Sequence, residues 1–308
     1  VNSDLIQITD KGLFCRAGDF FIDPWKPVSY AIITHAHSDH ARPGSKHYLA
    51  THQSTSILRL RLGSEIQVQS VEYGQELIIN GVKVSFHPAG HILGSAQIRL
   101  EHRGQIWCVS GDYKLAPDVT CADFEAVRCH SFISESTFGL PIFKWPDQKT
   151  VFEEIQQWWR LNQQKERISI LFCYSLGKAQ RVLAGIDPTI GPILTHGAVE
   201  RIVQLYRAQG IRLPRTIHVP LYREKEKLRK ALVIAPPSAN GTPWMRKFGR
   251  ISTGFVSGWM RIRGLRRRHS VDRGFILSDH ADWTELLEAL NYSEADRILV
   301  THGYAAQL

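Results

Sequence analysis

The segment Thr34-His35-Ala36-His37-Ser38-Asp39-His40 constrains this chain more than any other. It places three imidazoles and a carboxylate directly after a short predicted strand, 31–34. Buried in a core, each group would need its own polar partner. Around a divalent cation the same groups become ligands, and Zn2+ favours nitrogen and oxygen sets of this kind. The competing reading is a polar loop with chance histidines.

The rest of the chain has to supply a body for that loop. Its 308 residues are 43% hydrophobic and 22% charged, which excludes a disordered tail protein. At about 150 residues per domain the length points to two domains. The five cysteines are scattered, without a C-x-x-C pair, and read as reduced thiols rather than a disulfide framework. No apolar run approaches the roughly 20 residues of a membrane span. Residues 1–10 lack a basic-then-apolar leader pattern.

The net charge of +9 is concentrated. From Asn240 to Val271 there are eight basic residues (Arg246, Lys247, Arg250, Arg261, Arg263, Arg266, Arg267, Arg268) and no acid, while the remainder holds 30 basic against 29 acidic residues. A polyanionic partner or a solvated basic face would each explain it. Trp259 stands among these arginines, a mixture that suits stacking and phosphate contact with single-stranded nucleic acid, although a core Trp is the plainer reading.

Short strands are predicted through the first third, including 76–79 and 82–86 around an Asn80-Gly81 turn and 98–102 and 105–109 around Arg103-Gly104. From residue 150 helices alternate with apolar runs (150–162, 168–173, 177–183, 193–195, 199–208, 232–235), which predicts a small α/β unit with a parallel sheet. A strand at 275–278, a helix at 283–290 and a strand at 297–301 follow. Gly177 and Lys178 open a helix after a strand, a place that suits a phosphate, or an ordinary turn. Ser136 and Thr137 would bond a phosphate or cap a turn.

H-x-H-x-D-H resembles the signature of the metallo-β-lactamase superfamily, and further pieces fall in that family's order. Asp23 in Phe-Phe-Ile-Asp, His91 in Ala-Gly-His-Ile-Leu-Gly-Ser, Asp112 in Val-Ser-Gly-Asp-Tyr and His302 in Leu-Val-Thr-His-Gly match its other motifs. The resemblance implies two divalent metal ions, Zn2+ with Mn2+ or Fe2+ as alternatives. His35, His37 and His91 would hold one, Asp39, His40 and His302 the other, with Asp112 bridging and Asp23 orienting a ligand histidine.

Ser134-Glu135-Ser136-Thr137-Phe138-Gly139 and Ser278-Asp279-His280-Ala281-Asp282 resemble motifs of the β-CASP branch, the nucleic-acid nucleases. The fold implied is α/β: a metallo-β-lactamase αββα sandwich over 1–145 and 266–308, with an inserted α/β β-CASP domain over 146–265. His280 would then donate a proton to the leaving oxygen, Glu135 would position it or balance its charge, and Asp39 would be the third catalytic residue. Longer matches, such as Ile22-Asp23-Pro24-Trp25-Lys26-Pro27-Val28, Ser257-Gly258-Trp259-Met260-Arg261-Ile262-Arg263-Gly264 and Gly274-Phe275-Ile276-Leu277-Ser278-Asp279-His280, resemble the bacterial ligase-associated DNA exonucleases, relatives of the DNA cross-link repair nucleases.

That resemblance implies a DNA repair exonuclease, cytoplasmic and nucleoid-associated, without a membrane. It would act on single-stranded DNA or duplex ends, with an ATP-dependent DNA ligase and a helicase as functional partners. Histidine at position 302 favours RNA instead, since DNA-directed relatives tend to carry an apolar residue there, so an RNA-processing ribonuclease is the second reading. A non-catalytic nucleic-acid-binding subunit is the third, and the filled ligand positions argue against it. A thioester hydrolase would leave Glu135, His280 and the insertion unexplained. The family continues beyond this motif, whereas the sequence has six residues after His302. The basic stretch, Arg261, Arg263, Arg266, Arg267 and Arg268 included, would feed a polyanionic strand toward the metals.

Overall fold

The computed structural model describes residues 4–262, 270–305 and 307. They form two compact units, one of residues 1–142 with 280–308 and one of residues 143–279.

The first unit stacks two six-stranded sheets. One runs in chain order through β1 (Ile6–Thr9), β2 (Gly12–Cys15), β3 (Phe20–Ile22), β4 (Tyr30–Ile32), β5 (His47–Thr51) and β6 (Val68–Val71). Its first three strands are antiparallel and β3 to β6 are parallel. The other contains β7 (Glu76–Ile79), β8 (Val82–Pro88), β9 (Ala96–His102), β10 (Gln105–Val109), β11 (Ser131–Glu135) and β18 (Arg297–Thr301), in the order β18-β11-β10-β9-β8-β7. The predicted turns are there. Asn80 and Gly81 both take positive φ and close the Ile79↔Val82 pair, and Arg103 and Gly104 do the same after His102. These are the dihedrals that a two-residue hairpin with right-twisted strands requires.

Alternation decides what lies between the sheets. Val82, Val84 and Phe86 of β8 point one way and meet Ile22, Ile32 and Leu49 of the opposite sheet in one apolar core. Helix α1 (His52–Leu62) packs beside β5 and β6. On the other sheet's outer face lies a later helix, Trp283–Tyr292, whose Leu290 packs against Cys108 of β10 and Phe132 of β11. The layering is helix, sheet, sheet, helix.

In the second unit all six strands are parallel: β12 (Ile168–Phe172), β13 (Ile193–Thr195), β14 (Ile217–His218), β15 (Leu232–Ala235), β16 (Ile251–Val256) and β17 (Arg273–Phe275), in the order β14-β13-β15-β12-β16-β17. Central β12 is buried on both faces. Leu171 joins the core made by α2 (Gln148–Gln164), α3 (Lys178–Gly185) and α4 (Gly197–Ala208), while Ile168, Ile170 and Phe172 join the opposite one. That is why its sequence is an unbroken apolar run. Among the described residues the remaining α-helix, Trp283–Tyr292, is α5 and belongs to the first unit.

Two expectations shift here. The strand expected at 275–278 is built from Arg273–Phe275, and it pairs with β16 in the second unit's sheet. The strand lies within the compact unit of residues 143–279. Strand β16 was not predicted at all, because Ser252, Thr253 and Gly254 break its apolar run. Among the described residues, no helix is long and apolar enough to cross a membrane.

Phe86 is fully buried between the two sheets of the first unit. Phe86→Ala should cost about 3–5 kcal/mol, read as a lower midpoint in denaturant unfolding followed by circular dichroism.

Candidate metal centre

The histidine-rich loop, residues 33–40, starts where β4 ends, and Asp23 at the end of β3 meets it first. Asp23 takes φ 44° there and donates its N–H to the Ile32 carbonyl (2.9 Å). Its carboxylate accepts the Thr34 N–H on Oδ1 (2.8 Å), and the Thr34 hydroxyl and His40 Nδ1 (2.7 Å) on Oδ2. Thr34 Oγ1 also lies 3.1 Å from His35 Nδ1. A hydroxyl that donates to Asp23 must accept from His35, so both imidazoles carry a proton on Nδ1 and turn Nε2 inward. Gly111 makes room for this: with φ 57°, a Cβ there would meet the Thr34 side chain at 2.6 Å.

The inward atoms gather around Asp112. Its Oδ2 lies 3.4 Å from His35 Nε2, 3.4 Å from His40 Nε2, 3.8 Å from His91 Nε2 and 3.9 Å from His280 Nδ1. His91 Nε2 in turn is 3.0 Å from His37 Nδ1. One ligand atom from each of His35, His37, His91 and Asp112 falls within a 4.8 Å group. His35 Nε2 is buried with no hydrogen-bond partner. A buried nitrogen of that kind, aimed among two further imidazoles and a carboxylate, fits a divalent cation.

The electrostatics agree. Burial, with His40 adding to it, pushes the His35 imidazole well below its ordinary pKa, so it is held neutral as a ligand must be. At His40 burial works the same way but is outweighed by the Asp112 and Asp23 carboxylates, which hold it well above. Burial would raise the Asp112 carboxyl, yet His40, His280 and His35 keep it well below its usual range. The pocket thus holds a carboxylate that demands positive charge beside it.

Two short loops fix the other ligands. Ser95 Oγ accepts the N–H groups of His91 (3.1 Å) and Ile92 (3.2 Å), and Ala96 N–H donates to the Thr34 carbonyl (2.8 Å). Gly90, at φ 72°, lets the Lys114 carbonyl approach to 2.1 Å of where a Cβ would be. The second expected ligand set is more open. Asp39 is 3.9 Å from His40 and its side chain is 63% exposed, and the exposed His302 ring stands 5.4 Å from that of His40. His302 takes φ 60° in a turn held by Ser136, whose hydroxyl donates to the His302 carbonyl and whose carbonyl accepts the Tyr304 N–H.

Glu135 and His280 meet as a pair on the same centre. Buried Glu135 accepts the Tyr113 N–H on Oε1 (2.7 Å) and binds His280 Nδ1 through Oε2 (2.9 Å). Nδ1 is the ring nitrogen that Glu135 engages, and Nε2 is the other.

The expected nucleic-acid contacts divide differently. Ser136 is buried with its hydroxyl engaged as described, and Thr137 beside it is partly exposed. Lys178 is not an exposed charge: it is buried and paired with buried Asp279 at 2.7 Å. Gly177, at φ 85°, forms the N-cap of α3. Trp259 is partly buried against the second unit's core, edge-on to Phe143, and Arg261 is exposed. Arg263, Arg266, Arg267 and Arg268 lie outside the described residues. Sequence reasoning missed Thr34, Ser95, Gly111 and Tyr113, which hold ligands without ligating. The signal for Thr34 was its place between the strand and His35.

No family model matches the chain. It is 30% identical over 301 residues to a probable DNA ligase of Opitutus terrae, covering 96% of this chain and 29% of that protein. It is 27% identical over 216 residues to an RNase J-like protein of Methanocaldococcus jannaschii, covering 59% of this chain and 50% of the relative. With a DNA cross-link repair protein of Arabidopsis thaliana it shares 23% identity over 300 residues, 88% of this chain and 60% of the relative. A protein of unknown function from Enterococcus faecalis has the same fold, with a TM-score of 0.60, 11% identity, and coverage of 91% of this chain and 76% of its own. The chain is a homologue of the metallo-β-lactamase/β-CASP nucleases. It spans only part of each of these relatives, less than a third of the first.

Replacing Asp23 with Asn leaves the ligands in place and removes the charge that orients His40. Divalent metal affinity should fall about 10–100-fold, measured by calorimetric titration of the metal-stripped protein.

Proposed function

We propose that this chain is a metal-dependent nuclease that hydrolyses phosphodiester bonds in DNA, in the manner of the ligase-associated exonucleases it resembles. On this reading the first unit is a metallo-β-lactamase sandwich and the second an inserted β-CASP domain. The observation that carries it is His280: an imidazole fixed through Nδ1 by buried Glu135 while that same nitrogen lies 3.9 Å from the Asp112 carboxylate. A metal-storage or purely binding protein has no use for such an oriented proton carrier.

His35, His37, His91 and Asp112 would hold one divalent ion, and Asp112, Asp39, His40 and His302 a second. When bound, the ions would supply positive charge to the phosphoryl oxygens and acidify a water. The residues do the rest. Asp39 receives the proton of the attacking water as its oxygen bonds to phosphorus. The bond from phosphorus to the leaving oxygen breaks, and His280 Nε2 gives that oxygen its proton. Glu135 stabilises the imidazolium before the transfer and fixes the ring. The products are a phosphate monoester and a free hydroxyl.

The basic stretch supports a polyanionic substrate, with Arg261, Arg263, Arg266, Arg267 and Arg268 as phosphate contacts and Trp259 and Thr137 as lesser candidates. An RNA-processing role is the second reading, favoured by histidine at 302 and by the RNase J-like relative. The probable DNA ligase and the DNA cross-link repair relative support DNA as the substrate.

Asp112→Asn, or chelation, should abolish cleavage of end-labelled DNA while leaving binding measurable, and activity that survives metal removal would refute the reading. The same assay with matched RNA should show slower turnover; faster RNA cleavage would select the second reading. Replacing Arg266, Arg267 and Arg268 together should flatten the salt dependence of binding, with the log–log slope falling by about 0.9 for each duplex phosphate left unneutralised.

A further inference from the structure

Glu285 does more than close the first turn of α5. The turn itself is a capping box: Asp282 Oδ1 accepts the N–H groups of Thr284 (2.9 Å) and Glu285 (3.0 Å), and Glu285 Oε2 accepts the Asp282 N–H (3.0 Å). That device needs one carboxylate oxygen of Glu285. The other reaches to a distant part of the chain, where Oε1 accepts the Ala116 N–H at 2.6 Å, and the buried Lys114 ammonium lies 3.4 Å from Oε2.

The segment it grips is the one that leaves Asp112. Tyr113 gives its N–H to Glu135 (2.7 Å), and its carbonyl accepts the Ala281 N–H (2.6 Å). Lys114 N–H is fixed to the Ala89 carbonyl (3.0 Å), in the loop that carries His91. Glu135 therefore holds one end of residues 113–116 and Glu285 the other. His280 is held through its ring by Glu135, and its neighbour Ala281 is held by the Tyr113 carbonyl.

We infer that Glu285 is a positioning residue, tying the turn that bears His280 to the strand end that bears Asp112 so that the proton donor stays in register with the reacting phosphate. The inference rests on the nuclease reading. Loss of this tie should impair proton delivery to the leaving oxygen and leave metal and substrate binding in place.

The test compares two substrates. One is the end-labelled oligonucleotide that the wild-type chain cleaves. The other is bis(p-nitrophenyl) phosphate, whose leaving group needs no proton. Glu285→Ala should lower kcat on the oligonucleotide by about 10²-fold, the size expected for a lost general acid. KM on the oligonucleotide and kcat on the aryl ester should each stay within about threefold. Metal content by elemental analysis should equal that of wild type. Glu285→Gln keeps an acceptor for the Ala116 N–H and should fall between the two. It also carries the test if the alanine variant is insoluble. An unchanged oligonucleotide rate, equal losses on both substrates, or lost metal would each overturn the inference. A wild-type chain that cleaves neither DNA nor RNA would instead overturn the function and this inference with it.

Discussion

Everything at the centre depends on one carboxylate buried among imidazoles. Asp112 carries a charge that the low-dielectric interior penalises, and four ring nitrogens within 3.9 Å of its Oδ2 are the response. Those rings are supplied by three separate loops at strand ends: His35 and His40 after β4, His91 between β8 and β9, and His280 ahead of α5. Each loop could be designed to satisfy itself; instead each satisfies Asp112. Their positions are therefore interdependent.

The protein resolves that dependence with groups that never face the centre. Asp23 and Thr34 settle which nitrogen of His35 and of His40 carries a proton. Ser95 holds the two amides that start the His91 turn, and Ser136 holds the carbonyl of His302. These are short polar side chains on rigid strand ends, where a bond of fixed length can define a ring's orientation. The apolar core between the sheets provides the rigidity, since Ile22 and Ile32 are buried beside the residues that bear Asp23 and the histidine loop.

The candidate ligands that gather around Asp112 stand out in the sequence because their chemistry is conspicuous: histidines and aspartates at fixed spacing are hard to explain otherwise. The hairpins at Asn80-Gly81 and Arg103-Gly104 were equally legible, since two successive residues at positive φ select a narrow set of side chains. The supporting residues were not. Thr34, Ser95 and Gly111 are ordinary residue types whose roles exist only once strands far apart in sequence are adjacent. The partner of Lys178 was hidden for the same reason: Asp279 lies about a hundred residues further along the chain. The basic stretch concealed β16, because Gly254 sits where Leu171, Phe275 and Trp158 crowd within 3.2 Å of a would-be Cβ, and only a residue without a side chain fits.

One pairing sets the order in which this centre can come into being. Strand β18 lies parallel to β11, with Glu135 opposite Thr301, and residues 143–279 intervene as a separate unit. A chain emerging from the ribosome exposes His35, His37, His40 and His91 long before residues 297–301 exist to complete the sheet. The ligand set can therefore assemble early around His35 while His302 is still unmade. Closing so long a loop is slow, because its entropy must be spent before the β11–β18 bonds are gained. For that interval the histidines near His35 stand without the strand that later brings His302 to them.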